Sequence, residues 1–478
     1  MADIIKPDLC IVGAGAPGIA LAMAARAHGA GVVLLDTGSP GDSLRAGPVP
    51  MAALSAAAAH AQALRHAAAF GMVGGEPKPN FRGVHDHVQS VIAAIAPRET
   101  PERLRALGID LRLGPASFLD KRTLQAGDVL VRARRFVLAT GSRPIVPPLA
   151  NLDQVAFFTA DTIWANAYKL SHLVVLGGSA TALQFAQAYR RLGCDVSIIE
   201  ASAALADIDP ELAAIALRKL REEGVVIHER SQALEVLPRS QGIGLRIRQT
   251  DGAETTLDAS HILVALGRKP DFSGLALDKA GIRFERARDD RLMLRPHLLT
   301  TNGRVHVIGE AAGGLPSLQA ARHDAHRVME YALFRRAPKP MAGAVASVVF
   351  TDPQLAQVGL SETEARQRFK SGYVVLRASF AENARAIATR RIEGSAKLIT
   401  DPRGIILGIA IAGPEAGELV ALFGLAIRRA IAVPDLADLA LPDPSFSAII
   451  GHLVAAWHEQ AGPEHWRQRR LALVRRLP

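Results

Sequence analysis

Three glycines near the start of the chain have a spacing that lets the backbone come close to a phosphate group. Gly13, Gly15 and Gly18 follow an apolar run, residues 9–12, and open an Ala-rich segment typical of a helix. The first glycine permits a tight turn, the second lets the backbone approach a pyrophosphate, and the third lets the helix pack on the strand. The helix N-terminus adds unpaired N–H groups and the positive end of its dipole. We therefore expect a pyrophosphate to bind at this turn.

An acidic residue completes this first unit. A second apolar run, residues 32–35, ends in Asp36, at the tip of a predicted strand. A carboxylate at this place can bind the two hydroxyls of a ribose. Strand, glycine turn, helix, strand and acid together are more specific than the glycines alone, and they predict a dinucleotide site.

The same order of features returns further along the chain. An apolar strand that starts at Leu173 runs into Gly177-Gly178-Ser179, a helical segment follows, and the next strand is closed by Glu200. Ser179 and Ala182 stand where stricter patterns have glycine, and their small side chains still permit a close approach. Two such units in one chain predict two dinucleotides.

The second acid indicates which nicotinamide cofactor this unit prefers. Glu200 would accept the 2′-hydroxyl of NAD and repel the 2′-phosphate of NADP. No arginine occurs at residues 201–206 to receive that phosphate. We therefore favour NAD over NADP.

Three more apolar segments end in turns that suit contact with a cofactor. They end at Thr140-Gly141, at Gly267-Arg268 and at Gly309-Glu310. After a predicted linker at residues 338–345, strands at 347–350, 396–399 and 405–412 alternate with helices such as 415–430. The predicted fold class is therefore α/β, with two Rossmann-like dinucleotide-binding domains of three-layer β-β-α and α-β-α character, followed by an α+β domain.

Composition excludes several other functions. The 478 residues carry a net charge of +10, but the basic residues are mostly scattered arginines and aromatic residues make up only 5%. No basic helix with interleaved aromatics suggests nucleic-acid binding, and we expect the basic tail at residues 466–476 to be a surface helix.

The longest apolar stretch, residues 405–427, is interrupted by Pro414, Glu415 and Glu418, so we predict no membrane span. With no signal peptide visible, a cytoplasmic location is expected.

Cysteines and histidines offer no metal site or disulfide framework. Cys10 and Cys194 are the two cysteines, and both are expected to pack in or beside core strands. The pairs His85 with His87 and His323 with His326 have no acidic or thiol partners nearby in sequence. We interpret them as surface residues and predict no metal.

The chain resembles the flavoprotein pyridine nucleotide–disulfide oxidoreductases, a family that includes dihydrolipoamide dehydrogenase, glutathione reductase, mercuric reductase and soluble transhydrogenase. The most specific part of the resemblance is to the C-terminal dimerisation domain of that family. The residues that carry it are 347–353, 358–362, 394–398, Gly408 and 413–418. The segment GGSATALQFAQAYRRLG is most similar to the mercuric reductase branch.

This resemblance implies a domain order and a set of cofactor ligands. It implies an FAD-binding domain at 1–149 and 271–343, an NAD-binding domain at 150–270, and a homodimer formed through residues 344–478. The implied FAD ligands are Gly13, Gly15, Ala16, Gly18, Asp36, Gly41, Asp42, Ser43, Ala116, Thr140, Gly141, Gly309 and Glu310. The implied NAD ligands are Gly177, Gly178, Ser179, Glu200, Gly267 and Arg268. Glu310 departs from the aspartate of the family by one methylene.

The residues that carry out disulfide chemistry in this family are replaced. Ser43 and Pro48 stand where the family has its Cys-x4-Cys pair, and serine cannot form a disulfide. Ala52 replaces a lysine beside the flavin, and Gln184 replaces the glutamate that pairs with that lysine. Removing both partners of an ion pair is close to neutral, whereas removing one leaves a buried charge.

The acid–base segment of the family is also replaced. Where the family has His-Pro-Thr-x-x-Glu, this chain reads Asp443-Pro444-Ser445-Phe446-Ser447-Ala448. Aspartate has a reference pKa of about 3.9 and is a poor acid at neutral pH. We therefore predict an FAD-dependent enzyme that takes hydride from NADH and reduces a quinone, a dye, oxygen or a second nicotinamide. The alternative is a catalytically silent FAD- and NAD-binding sensor or scaffold, and lipoamide or mercuric reduction is less favoured.

Overall fold

The computed structural model describes residues 3–38, 40–41, 45–314, 317–337, 345–461 and 474–475. The chain forms two compact units, the first from Met1–Ala201 with Val226–Pro340, and the second from Ser202–Val225 with Met341–Pro478. Most of the predicted linker and of the basic tail lies outside the described residues. The finer domain boundaries expected from the sequence stay predictions.

The first unit contains a five-stranded parallel sheet built around the N-terminal glycine turn. Its order is β21-β8-β2-β3-β4, and the strands are β2 (Leu9–Val12), β3 (Val32–Asp36), β4 (Asp110–Leu113), β8 (Arg135–Leu138) and β21 (Val305–Val307). One face is covered by α1 (Ala16–Ala27) and α7 (Leu318–Phe334), with Ile19, Val328 and Met329 in their shared core. The other face packs against a four-stranded sheet, β1-β7-β6-β5, formed by Asp3–Ile5, Val129–Val131, Leu124–Ala126 and Ala116–Phe118.

A second parallel sheet of the same unit is built around the second glycine turn. Its order is β10-β17-β11-β12-β13, with strands Phe157–Thr159, His261–Val264, His172–Leu176, Asp195–Ile199 and Val226–His228. Helix α5 (Ala180–Arg191) follows the turn. On one face, Val174 and Ile262 pack against Leu245 of an antiparallel sheet formed by β14 (Gln232–Pro238), β15 (Ile243–Arg248) and β16 (Glu254–Ala259). Both sheets are therefore central layers, which confirms the predicted fold class.

Smaller elements complete the first unit. A two-stranded antiparallel ribbon pairs β9 (Ser142–Pro144) with β18 (Arg268–Pro270), and another pairs β19 (Phe284–Glu285) with β20 (Arg288–Leu292). The remaining helices are α2 (Pro48–His66), α3 (Phe81–Ile95) and α4 (Pro101–Ala106). Helices α3 and α4 are separated by a 3₁₀ turn at Ala96–Glu99.

The second unit is an antiparallel sheet with helices, as the alternating pattern after residue 345 predicted. The sheet order is β22-β23-β26-β25-β24, with strands Ser347–Val349, Gln354–Gly359, Ile406–Gly413, Ser395–Thr400 and Val374–Ser379. Its helices are α6 (Pro210–Glu222), α8 (Glu362–Phe369), α9 (Ala384–Ala388), α10 (Ala416–Arg429) and α11 (Ile449–Ala461). Phe380, Ile411 and Phe423 are fully buried in its core.

A buried lysine ties three segments of this unit together. Lys397 on β25 donates to Asp209 Oδ2 at 2.9 Å, to Glu211 Oε1 at 2.8 Å and to Glu362 Oε2 at 2.6 Å, and its side chain is 4% exposed. Arg377 adds two bonds to Glu211, at 2.8 and 2.9 Å. Burial lowers the pKa of Lys397, but the three carboxylates outweigh burial and raise it overall.

Because of this cluster, the stability of the second unit should fall as the pH is lowered into the acid range. Hydrogen bonds from Arg377 lower the pKa of Glu211 from 4.5 to about 2 despite partial burial, with Lys397 contributing further. The stabilisation is therefore present above the unfolded pKa, near 4.5, and is lost as pH falls towards 2. We expect Glu211→Gln to flatten the fall of the thermal midpoint between about pH 5 and pH 2.5, measured by circular dichroism.

The matched control for this prediction is Glu222→Gln on the same helix. Glu222 is about half exposed, and its ion pairs with described residues are long, 3.7 Å to Arg218 and 3.9 Å to Lys219. This variant should keep the wild-type pH profile. A Glu211→Gln profile parallel to that of the wild type would contradict the assignment.

Candidate functional site

The N-terminal turn adopts a conformation that requires glycine at two of its three positions. Gly13 has φ +110°, and an added Cβ would lie 2.2 Å from the carbonyl oxygen of Ala139. A Cβ on Gly18 would lie 2.0 Å from the carbonyl oxygen of Gly13. These contacts are the close packing of turn, helix and neighbouring strand that the pattern predicted.

The middle glycine, Gly15, is not forced by a backbone contact. Gly15 is the N-cap of α1 with φ −72°, and no side chain caps this end of the helix. The nearest atom to an added Cβ would be Pro17 Cδ at 3.9 Å, so the space beside Gly15 is open. Ala16 begins the helix. An open, uncapped helix N-terminus fits the pyrophosphate of FAD.

The second turn has the same geometry with a different cap. Gly177 has φ +116°, and an added Cβ would lie 2.5 Å from the carbonyl oxygen of Ala265. Ser179 is the N-cap of α5; its hydroxyl accepts from the Ala182 N–H at 3.3 Å and donates to the Ala265 oxygen at 3.2 Å. Ala182 is fully buried, so a small side chain is needed there.

Both strand-closing acids bond to their own glycine turn. Asp36 accepts from the Ala14 N–H and, at 2.8 Å, from the Gly38 N–H. Glu200 accepts from the Gly178 N–H at 2.6 Å. The acids therefore stand beside the turns, where ribose binding was predicted, and they also hold the turns in shape.

Thr140 presents a buried polar atom that fits a bound group. Its Oγ1 is buried and has no hydrogen-bond partner in the described part of the chain. It follows β8 and precedes Gly141, which has φ +67° and whose carbonyl accepts from the Asp271 N–H at 3.3 Å. A cofactor hydroxyl or ring heteroatom at this place would satisfy the threonine.

Residues predicted for the two different cofactors meet in one network. Arg268 donates from Nη1 to Asp161 Oδ1 at 2.5 Å, from Nε to Ser142 Oγ at 2.7 Å and from Nη2 to the Ser142 carbonyl at 2.7 Å. The Ser142 hydroxyl donates to Glu310, and Glu310 Oε2 lies 3.3 Å from Arg268 Nε. The sequence placed Glu310 at FAD and Arg268 at NAD, and did not predict this link.

The remaining predicted FAD ligands are placed as follows. Gly41 has φ +82° and lines a cavity of about 200 Å³ together with Gly38, Glu99 and Leu113. Ala116 is buried on β5. Asp42 and Ser43 lie outside the described residues.

Two acids near this site were missed by the sequence. Burial raises the pKa of both Glu99 and Asp324. The Gly309 N–H donates to Asp324, which also lies 3.6 Å from Arg327 Nη1. Asp324 lies on α7 and belongs to no recognisable motif. Its position beside Gly309 therefore became visible only in the structure.

The structure describes most of the positions where the resemblance implies that catalytic residues are replaced. Pro48 begins α2, and Ala52 on the same helix is exposed. Gln184 Nε2 donates back to the Ala180 carbonyl of its own helix at 3.1 Å. Asp443 is exposed, and its side chain has no hydrogen bond or ion pair with a described residue.

The two cysteines are buried packing residues, as predicted. Both are free and buried, and burial raises the pKa of each, that of Cys194 to about 11. Thiolates are the reactive form of cysteine, and burial disfavours that form at both residues. Among the residues that the structure describes, no group of three His, Cys, Asp or Glu side chains could hold a metal ion. No helix in that part is long and apolar enough to cross a bilayer.

The fold and the two turns define a protein with two dinucleotide-binding units. Residues 7–325 match the family model described as pyridine nucleotide-disulphide oxidoreductase, and residues 345–454 match the dimerisation domain of that family. The chain belongs to the pyridine nucleotide-disulphide oxidoreductase family, whose members are flavin-dependent and bind FAD and NAD(P). This confirms the resemblance inferred from the sequence, and the second match supports a homodimer.

Known relatives resemble the chain over nearly its whole length. A mercuric reductase of Streptomyces lividans is 30% identical over 454 residues, which cover 90% of this chain and 92% of that protein. A dihydrolipoyl dehydrogenase of Thermus scotoductus is 29% identical over 476 residues, 95% of this chain and 98% of the other. The structure of the HOCl-induced flavoprotein disulfide reductase RclA from Escherichia coli has a TM-score of 0.81 at 20% identity, covering 94% of this chain and 99% of RclA, and it shows the same fold.

Proposed function

We propose that the chain is an FAD-dependent oxidoreductase that takes hydride from NADH and passes the electrons to an acceptor other than a disulfide. The observation that carries this proposal is the combination of two dinucleotide turns with a sequence that has Ser43 and Pro48 where the family has its Cys-x4-Cys pair. The whole sequence has two cysteines, Cys10 and Cys194, and both are buried away from solvent. FAD would supply the electron transfer itself.

The residues of the chain would orient the two cofactors. The open N-terminus of α1 and Thr140 are suited to FAD, with Asp36 beside its ribose. Gly177, Ser179 and Glu200 are suited to NAD. Glu200 favours NAD over NADP because its carboxylate would repel a 2′-phosphate.

The acceptor is inferred from what the chain lacks. Ala52 is small and exposed, and Gln184 is folded back on its own helix, so no ion pair stands where the family has its lysine and glutamate. Asp443 is exposed and stands where the family has a histidine, so this position offers no imidazole as a general acid. These features support direct reduction of a small acceptor such as a quinone, a dye, oxygen or a second nicotinamide.

The test is anaerobic addition of NADH to the purified protein loaded with FAD. We expect rapid bleaching of the visible flavin band, with NADPH at least about tenfold less effective because of Glu200. A menadione-type quinone should then restore the colour, and lipoamide should not. Brisk lipoamide reduction would overturn the non-disulfide part of the proposal.

A silent binding protein is the second candidate, favoured by the loss of the lysine–glutamate pair and of the histidine–glutamate pair. The same experiment separates the two functions. A protein that binds FAD and NAD tightly but shows an unchanged flavin spectrum after NADH would be a sensor or scaffold.

A further inference from the structure

Glu310 lies at the meeting point of the two predicted cofactor sites. It belongs to a 3₁₀ turn, Gly309–Ala312, that directly follows β21 of the sheet with the FAD-type turn. Its carboxylate accepts a hydrogen bond from the Ser142 hydroxyl and lies 3.3 Å from Arg268 Nε. All three side chains belong to the first unit.

The partners of Glu310 lie on the ribbon that carries residues of both sites. In this ribbon Ser142 pairs with Pro270 and Arg268 pairs with Pro144. The Ile145 N–H donates to the carbonyl of Gly267 at 3.0 Å, so Gly267, a predicted NAD ligand, is bonded to the residue that directly follows β9.

Arg268 extends the link to the second parallel sheet. Its Nη1 donates to Asp161, which follows β10 (Phe157–Thr159), a strand of that sheet. A continuous series of charge-assisted hydrogen bonds therefore runs from Glu310 through Ser142 and Arg268 to Asp161. Such bonds are directional and fix the geometry of the groups that they join.

We propose that Glu310 is a positioning residue for the NAD site, acting through Ser142 and Arg268. The inference rests on the proposed function. Glu310 is one methylene longer than the aspartate of the family, and its carboxylate lies 3.3 Å from Arg268 Nε. Arg268 thereby keeps the Gly267–Arg268 turn in the position that NAD requires.

The exposure of these groups sets the size of the effect. The side chains of Arg268, Asp161 and Glu310 are 32%, 33% and 37% exposed. Ion pairs this exposed contribute little to global stability. The network is therefore suited to setting local geometry, and its loss should appear in ligand affinity more than in the thermal midpoint.

The experiment compares Glu310→Gln, Glu310→Asp and a control variant, each as full-length protein loaded with FAD. Affinity for NAD⁺ is measured by calorimetry, and affinity for FAD by the fluorescence of released flavin. We expect both Glu310 variants to weaken NAD⁺ binding about fivefold. This factor corresponds to ~1 kcal/mol, which is the upper value for an ion pair as exposed as that of Glu310 with Arg268. The loss of NAD⁺ affinity should persist when the variants are saturated with FAD.

The control is Arg143→Gln on the same ribbon. Arg143 is about half exposed, pairs with Asp271 at 3.9 Å and has no bond to Glu310. It should leave both affinities unchanged. Ser142→Ala should weaken NAD⁺ binding as Glu310→Gln does, and the double variant should be no weaker than either single one, because the two residues act in series.

Two results would overturn the inference while leaving the proposed function intact. One is a loss of FAD affinity with normal NAD⁺ affinity in Glu310→Gln, which would make Glu310 a direct FAD ligand. The other is unchanged affinity for both cofactors. Failure of the wild-type protein to bind FAD or NAD⁺ would instead overturn the proposed function, and the inference with it.

Discussion

Gly13→Ala is expected to abolish FAD binding and to destabilise the first unit by about 2–6 kcal/mol, the sum of backbone strain and overpacking. The new Cβ would lie 2.2 Å from the Ala139 carbonyl oxygen, at a φ of +110° that alanine rarely adopts. Both the turn and the adjacent strand would have to move. Denaturant unfolding of the apoprotein and the flavin-to-protein absorbance ratio would measure the two effects.

Gly15→Ala is the matched control, because it lies two residues away in the same turn. Its φ of −72° suits alanine, and the nearest atom to the new Cβ would be 3.9 Å away. The apoprotein should keep its stability to within about 1 kcal/mol. FAD affinity alone should fall, because the methyl group would occupy the space left for the pyrophosphate. Wild-type stability and a normal flavin content in Gly13→Ala would show that the turn is assigned wrongly.

Lys397→Met should cost about 3–5 kcal/mol in the free energy of unfolding of the second unit, the usual result of breaking a buried ion pair by removing one partner. Lys397 and Asp209 are each 4% exposed, and Glu362 is 20% exposed. Without the ammonium group, these carboxylates would be left close together and poorly solvated. Urea unfolding followed by circular dichroism would measure the loss.

Lys219→Met is the control for this substitution. Lys219 pairs with Glu393 at 3.1 Å, but these side chains are 21% and 39% exposed, and such a pair is worth about 0–1 kcal/mol. Lys397→Met should also be partly rescued by Asp209→Asn, which removes one of the stranded charges. Equal stability losses for the two lysine variants would refute a special role for Lys397.

The local elements and both glycine turns followed from the sequence alone. The run Leu9–Val12 is β2, and residues 396–399 lie within β25 (Ser395–Thr400), because uninterrupted apolar runs ended by glycine or polar residues specify buried strands. Gly13 and Gly18 could be recognised as obligatory because their spacing encodes a strand–turn–helix contact within one short segment. That the two cysteines, Cys10 and Cys194, do not form a Cys-x4-Cys motif could also be read from the sequence.

The long-range contacts of the site depended on the tertiary structure. Ser142, Asp161, Arg268 and Glu310 come from four separate segments, and no periodicity relates them, so their network was invisible before the two sheets and the ribbon were assembled. The same holds for Asp324, whose carboxylate reaches Gly309 from a helix. Lys397 looked like an ordinary strand residue until α6 and α8 placed three carboxylates around it. Hydrophobic spacing and turn residues report on neighbours in the chain, whereas the partners of a charged side chain are decided by which segments the fold brings together.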